Sequence, residues 1–185
     1  MPSQTRPTPG SRVALLRGIN LGPHRGVPMA SLRDIAQGLG WTDVTTYLQS
    51  GNLLFTDPAP DAKAAERLSA AVREVLGIDV DVVVRSGPEL DRLLAEHPFA
   101  DGDPARVVIA CCDRPVGELA ARRLAELATG DEQVRVDGRD VFAAFPAGQA
   151  GSKLAAQLVT AIRPATGTAR NLRTMAKLAQ LLAGR

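Results

Sequence analysis

The chain has 185 residues, 45% of them hydrophobic, and a net charge of only +2. That length supports one substantial core or two small ones, and no apolar run approaches the roughly 18–20 residues that a membrane helix needs. Its two cysteines, adjacent at Cys111 and Cys112, rule out a disulfide framework and fit a reducing cytoplasm.

Charge is unevenly placed along the chain. Residues 1–33 hold five Arg and no acid, and residues 141–185 hold six Lys or Arg and no acid. The stretch between carries 11 basic and 20 acidic residues. Blocks of one sign at both ends point to a partner or to solvated surface; if the ends meet, they form an electropositive face for an anion.

The predicted elements follow in order. Residues 1–11 lack an apolar stretch, so they read as a flexible tail and not as a secretory signal. Arg12 to Ile19 is a buried-strand pattern. Met29, Leu32, Ile35, Ala36 and Leu39 share a helical face between Pro28 and Gly40. Val44 to Leu48 and Asn52 to Thr56 flank Gln49-Ser50-Gly51 as a hairpin. Pro58 and Pro60 precede a helix from about Asp61, which Gly77 ends. Val80 to Arg85 is the next strand, completing a β-α-β-β-α-β order of ferredoxin-like type.

A short helix from Pro88 to His97 serves as connector, and the order then repeats. Arg106 to Cys111 is a strand and Leu119 to Leu127 a helix. Gln133 to Val136 and Val141 to Phe145 pair across Asp137-Gly138. Leu154, Leu158 and Ile162 mark a helix, and a last helix runs from about Asn171. The closing strand of the second half, near Thr166 to Ala169, has the weakest pattern. The fold class is therefore α+β: two ferredoxin-like halves with antiparallel sheets, residues 12–86 and 104–185, joined by a helical linker over 87–103.

Two polar segments stand against strands: Arg17-Gly18-Ile19-Asn20 and Gln49-Ser50-Gly51-Asn52. Gly, Asn and Gln at strand ends supply unusual backbone angles and amide donors, or simply satisfy turn backbone. With Val27-Pro-Met29, Thr46-Tyr47-Leu48, Gly151-Ser152-Lys153-Leu154, Arg170-Asn171 and Lys177-Leu178, these segments resemble the bacterial "domain of unknown function 1697" family over nearly the whole chain. The resemblance implies a two-part α+β fold of ferredoxin-like type and no particular activity. Leu172 departs from it, standing where relatives commonly carry Trp.

The candidate ligand-binding residues are Arg17, Asn20, Gln49, Ser50, Asn52, Ser152, Lys153, Arg170 and Asn171. Arg grips phosphate or carboxylate through paired hydrogen bonds and Lys acts as a point charge. Gly51 and Gly151 would let backbone amides approach an anion. Intramolecular pairing of Arg17 with a carboxylate is the plainer alternative. Ala150-Gly-Ser-Lys153 lacks the spacing of a phosphate loop. His24 and His97 are isolated loop residues, so no metal site is expected. Cys111 and Cys112 alternate across a strand, Ser50 and Ser152 lack a neighbouring base, and no cofactor is expected.

The leading functional class is a protein that binds a small anionic ligand, a nucleotide or phosphometabolite, between the halves. A nucleic-acid module using the basic ends ranks second, because RNA-binding versions of this fold stack bases on aromatics and aromatics are only 3% here. A structural homodimer pairing edge strands is the third class.

Overall fold

The computed structural model describes residues 10–20 and 26–184. The N-terminal tail up to residue 9 and His24 therefore lie outside the described residues. The first half runs β1 (Ser11–Leu16), α1 (Met29–Gly38), β2 (Thr42–Tyr47), β3 (Asn52–Thr56), α2 (Asp61–Leu76), β4 (Val82–Ser86) and α3 (Gly87–Glu96). The second repeats it as β5 (Val107–Cys112), α4 (Glu118–Leu127), β6 (Gln133–Asp137), β7 (Asp140–Ala144), α5 (Lys153–Ala161), β8 (Gly167–Asn171) and α6 (Leu172–Ala183). The fold is α+β, with two antiparallel four-stranded sheets ordered β2-β3-β1-β4 and β6-β7-β5-β8. The weakly patterned closing strand is present as β8.

Local chemistry sets the boundaries. Pro28 and Pro60 stand at the N-caps of α1 and α2, where a fixed φ suits the helix entry and no amide is lost. Gly77 closes α2 in the left-handed conformation and donates to the Arg73 carbonyl at 2.9 Å. On β2 the register shifts between Thr42 and Thr45, with Asp43 at φ 52°, a bulge that twists this edge away from further strand pairing.

The chain forms two compact units: residues up to Arg92 together with Lys177 onward, and Leu93–Ala176. In the first, Ala14, Leu16, Leu53, Phe55 and Val84 of the sheet join Leu32, Ile35 and Ala36 of α1 and Leu68 and Val72 of α2 in one buried cluster. Trp41 stacks on Phe55 at 3.9 Å between ring centroids, with the Arg67 guanidinium 5.7 Å above the indole. In the second, Val108, Ala110, Cys112, Val141, Ala143 and Phe145 pack with Leu124 of α4 and Leu154 and Leu158 of α5. Both cysteines are buried thiols outside any disulfide, Cys112 within this cluster.

The halves share register as well as order. Val13 stands opposite Arg85 and Leu15 opposite Asn52; Ile109 stands opposite Arg170 and Cys111 opposite Asp140. Asn52 and Asp140 are buried polar groups at matching ladder positions, and buried Arg85 takes the position of Arg170. Each closing strand then turns into a helix through a capping side chain. The Ser86 amide donates to Glu89 Oε2 at 2.9 Å, and the Thr174 amide donates to Asn171 Oδ1 at 2.8 Å.

Candidate functional site

The antiparallel pairing of β1 with β3 brings the two polar segments together at one end of the first sheet. The Leu16 amide donates to the Gly51 carbonyl at 2.8 Å. Asn20 Nδ2 donates to the carbonyls of Gln49 at 2.7 Å and Val27 at 3.1 Å, while its Oδ1 accepts from the Val27 amide at 2.8 Å. Asn52, fully buried, donates to the Tyr47 carbonyl at 2.7 Å and to Ser50 Oγ at 3.1 Å. The two asparagines thus fasten backbone that neither strand could satisfy.

The same loops concentrate left-handed backbone. Gly18, Asn20, Leu48 and Gly51 have φ of 64°, 56°, 59° and 79°. Gly51 is required for a second reason: a β-carbon there would lie 2.5 Å from Ile19 Cδ1 and 2.9 Å from Leu16 Cβ. The side of Gly51 where a β-carbon would stand therefore meets the protein's own core. Leu48, expected inside the strand, instead leaves it and is 53% exposed beside exposed Gln49 and Ser50.

Arg17 leaves the sheet on the other side of β1. Its amide donates to the Asp81 carbonyl at 2.9 Å, and its Nη1 meets Asp81 Oδ2 at 3.3 Å. Arg73, at the end of α2, pairs with Asp79. Arg17, Gly18, Ser69, Arg73, Asp79, Val80 and Asp81 line a concavity of about 400 Å³. The Ser69 hydroxyl donates to the Val80 carbonyl at 2.7 Å and fixes one wall. The concavity is electrically mixed, two guanidinium groups against two carboxylates, and all of it lies in the first unit. Ser69, Arg73, Asp79 and Asp81 carry no motif; the alternating acids of Asp79-Val80-Asp81 ahead of β4 were the available signal.

The remaining predicted residues sit in the second unit. Ser152 is the N-cap of α5, accepting from the Ala155 amide at 3.0 Å, and Lys153 is the exposed first residue of that helix. The Ser152 hydroxyl also holds Glu132 below the usual carboxylate range, helped by the Thr129 amide. Arg170 lies in β8 with Nη1 at 2.8 Å from both Thr168 Oγ1 and the Ala169 carbonyl. Burial pushes its pKa down to about 10, with nearby Cys111 acting in the opposite sense. Asn171 caps α6. Among the described residues no three His, Cys, Asp or Glu are grouped to hold a metal ion, and no helix is long and apolar enough to cross a membrane.

Two antiparallel sheets of the β-α-β-β-α-β type, with a braced loop pair at one end of the first, define a duplicated α+β protein. The chain belongs to the family described as "Protein of unknown function (DUF1697)", whose model matches residues 10–142. Ser152, Lys153, Arg170 and Asn171 fall beyond that match. Among solved structures it is similar to "conserved bacterial protein SP0830" from Streptococcus pneumoniae, with 24% identity over 93% of this chain and 98% of that one and a TM-score of 0.72. That likeness concerns the fold. No curated protein matches the chain.

Proposed function

We propose that the protein binds a small anionic ligand, a nucleotide or phosphorylated metabolite, in the concavity between the end of β1 and the end of α2. The observation that carries this reading is the convergence of Arg17 and Arg73 beside Gly18 in one hollow of about 400 Å³. Asp81 and Asp79, their partners, have side chains 56% and 78% exposed. Ion pairs this wet contribute only about 0–1 kcal/mol, whereas a phosphate offers each guanidinium a charge-assisted, two-point contact. Ligand binding is then an exchange: the aspartates swing to solvent as the anion enters.

The other classes gain less support. Trp41, Phe55, Phe142 and Phe145 are buried, which leaves little aromatic surface for base stacking. The bulge on β2 works against a homodimer built on that edge.

Thermal-shift and calorimetric titration with inorganic phosphate, pyrophosphate and nucleoside mono- and triphosphates test the proposal. A ligand at 100 times its dissociation constant stabilises by about 2.7 kcal/mol. Arg17→Ala and Arg73→Ala should each weaken that ligand, with modest salt dependence because only one or two charges are involved. Millimolar concentrations of every probe leaving the melting curve unmoved would sink the reading. So would steeply salt-sensitive binding to single-stranded RNA, the mark of many phosphate contacts.

A further inference from the structure

The two acids in the hollow beside Arg17 and Arg73 are not explained by an anion alone. Val80 is buried in the first core, and Asp79 and Asp81 stand exposed on either side of it. The main chain between them is pinned twice. The Ser69 hydroxyl donates to the Val80 carbonyl at 2.7 Å, and the Arg17 amide donates to the Asp81 carbonyl at 2.9 Å. Ser69 and Arg73 lie one turn apart on α2 and so share a helix face. The two carboxylates are thus carried on a fixed backbone, while their side chains, 78% and 56% exposed, can still turn.

Among the described residues that line the hollow, Arg17 and Arg73 are cationic and Asp79 and Asp81 anionic. A phosphate that takes both guanidinium groups leaves both carboxylates beside a further anion, and like charges so placed repel. A ligand that brings its own cation leaves no such surplus, because each ion pair within the protein is replaced by one with the ligand. The lining also works against a nucleotide. Its uncharged members are Gly18, Ser69 and Val80, so a base would find no ring on which to stack. The volume of about 400 Å³ lies toward the lower end of the ~300–1,000 Å³ usual for ligand sites.

We propose that the ligand is a small phosphate monoester bearing a primary ammonium group, with its phosphate on Arg17 and Arg73 and its ammonium on Asp79 and Asp81. This rests on the anion-binding reading of the same hollow and narrows it to one chemical class. An ammonium suits the acidic side, being a compact charge with three donors that needs no planar match. Because both carboxylates are wet, each adds at most about fivefold in affinity. Their effect is on selection: a phosphate monoester without a cation leaves both carboxylates unpaired beside it and is disfavoured. The arginines anchor the ligand, and Asp79 and Asp81 determine which ligand is held.

Calorimetric titration of the full-length protein at fixed ionic strength tests the pairing with three probes. These are phosphoethanolamine, 2-hydroxyethyl phosphate, which replaces the ammonium by a hydroxyl, and inorganic phosphate. Phosphoethanolamine should bind tightest, ahead of 2-hydroxyethyl phosphate by about fivefold or more. Asp79→Asn and Asp81→Asn, both at exposed positions, should each weaken phosphoethanolamine by about fivefold and tighten inorganic phosphate by a similar factor. A damaged fold would weaken both ligands, so the opposite signs report the charge pairing itself. Equal affinities for the two organic phosphates, or shifts of the same sign in Asp79→Asn and Asp81→Asn, would overturn the ammonium assignment and leave the anion site standing. Failure of all three probes to bind at millimolar concentration would remove the anion site, and this assignment with it.

Discussion

Gly51→Ala probes how the two polar segments are joined. The new methyl would stand 2.5 Å from Ile19 Cδ1, 3.0 Å from Ile19 Cγ1 and 2.9 Å from Leu16 Cβ, on a backbone held at φ +79°. The end of Ile19 can rotate, but Leu16 Cβ is fixed to a strand whose amide bonds the Gly51 carbonyl. A left-handed alanine costs about 1–2 kcal/mol and overpacking a filled site a further ~1–3 kcal/mol, giving a loss of about 2–5 kcal/mol. Gly77→Ala isolates the first contribution, because its φ is +66° and nothing lies within 4 Å of the added carbon. Urea unfolding can follow the tryptophan emission, since Trp41 is the only tryptophan and lies in the first core. At roughly 2–4 °C per kcal/mol for a chain of this size, the melting point should fall by roughly 4–20 °C. Ile19→Val, which deletes Cδ1, should restore part of the loss in the double variant. If Gly51→Ala is no worse than Gly77→Ala within about 0.5 kcal/mol, the steric reasoning fails.

Further expectations follow from the same contacts. Asn20→Ala removes three hydrogen bonds to backbone and should cost about 1–3 kcal/mol in urea unfolding, read through Trp41. Asn52→Ala, which leaves the Tyr47 carbonyl without this donor, should cost a similar ~1–3 kcal/mol and alter no ligand contact directly. Glu132 has its pKa lowered from 4.5 by Ser152, so its contribution is present above that value and lost as pH falls through the folded one. Ser152→Ala should therefore flatten the acid limb of thermal stability of the second unit. Asp61 works in the opposite sense: its raised pKa favours the fold at low pH, and that contribution disappears as pH rises from 3.8 through the folded value. Glu89→Gln, which leaves burial but removes a further cause of that rise, should then lessen the stability lost as Asp61 ionises above 3.8, read as melting temperature against pH.

Much of the fold could be read in the sequence because the punctuation was local. Pro60 before Asp61 and Gly77 after Leu76 bracket α2 without reference to anything distant. The strand β8 was the hard case: Gly167-Thr-Ala-Arg-Asn171 has no apolar alternation, and its place is set by pairing with β5. The polar segments were visible, but their meeting was not, because the bond from Asn20 to Gln49 spans 29 positions and depends on sheet register. Arg17 could be singled out as a cation, whereas Arg73 and Ser69 reach it only through the return of α2 into β4, which no local pattern reports.

The duplication supplies a comparison inside one molecule. The same scaffold occurs twice, yet residues 17–28 connect β1 to α1 while residues 113–117 connect β5 to α4. The first hairpin turns over residues 48–51, the second over 138–139, with Gly138 at φ 56°, the tight form that suits two strands joined for stability alone. At the place of Arg17 the second half has Asp113, whose carboxylate accepts from the Thr166 amide at 2.8 Å and pairs with Arg114 at 2.9 Å. The second half builds the same four-stranded sheet with the shorter connections. Extra loop length, braced by Asn20 and Asn52 and flanked by an arginine, is the pattern of a site grafted on a scaffold. That contrast supports placing the proposed anion site in the first half.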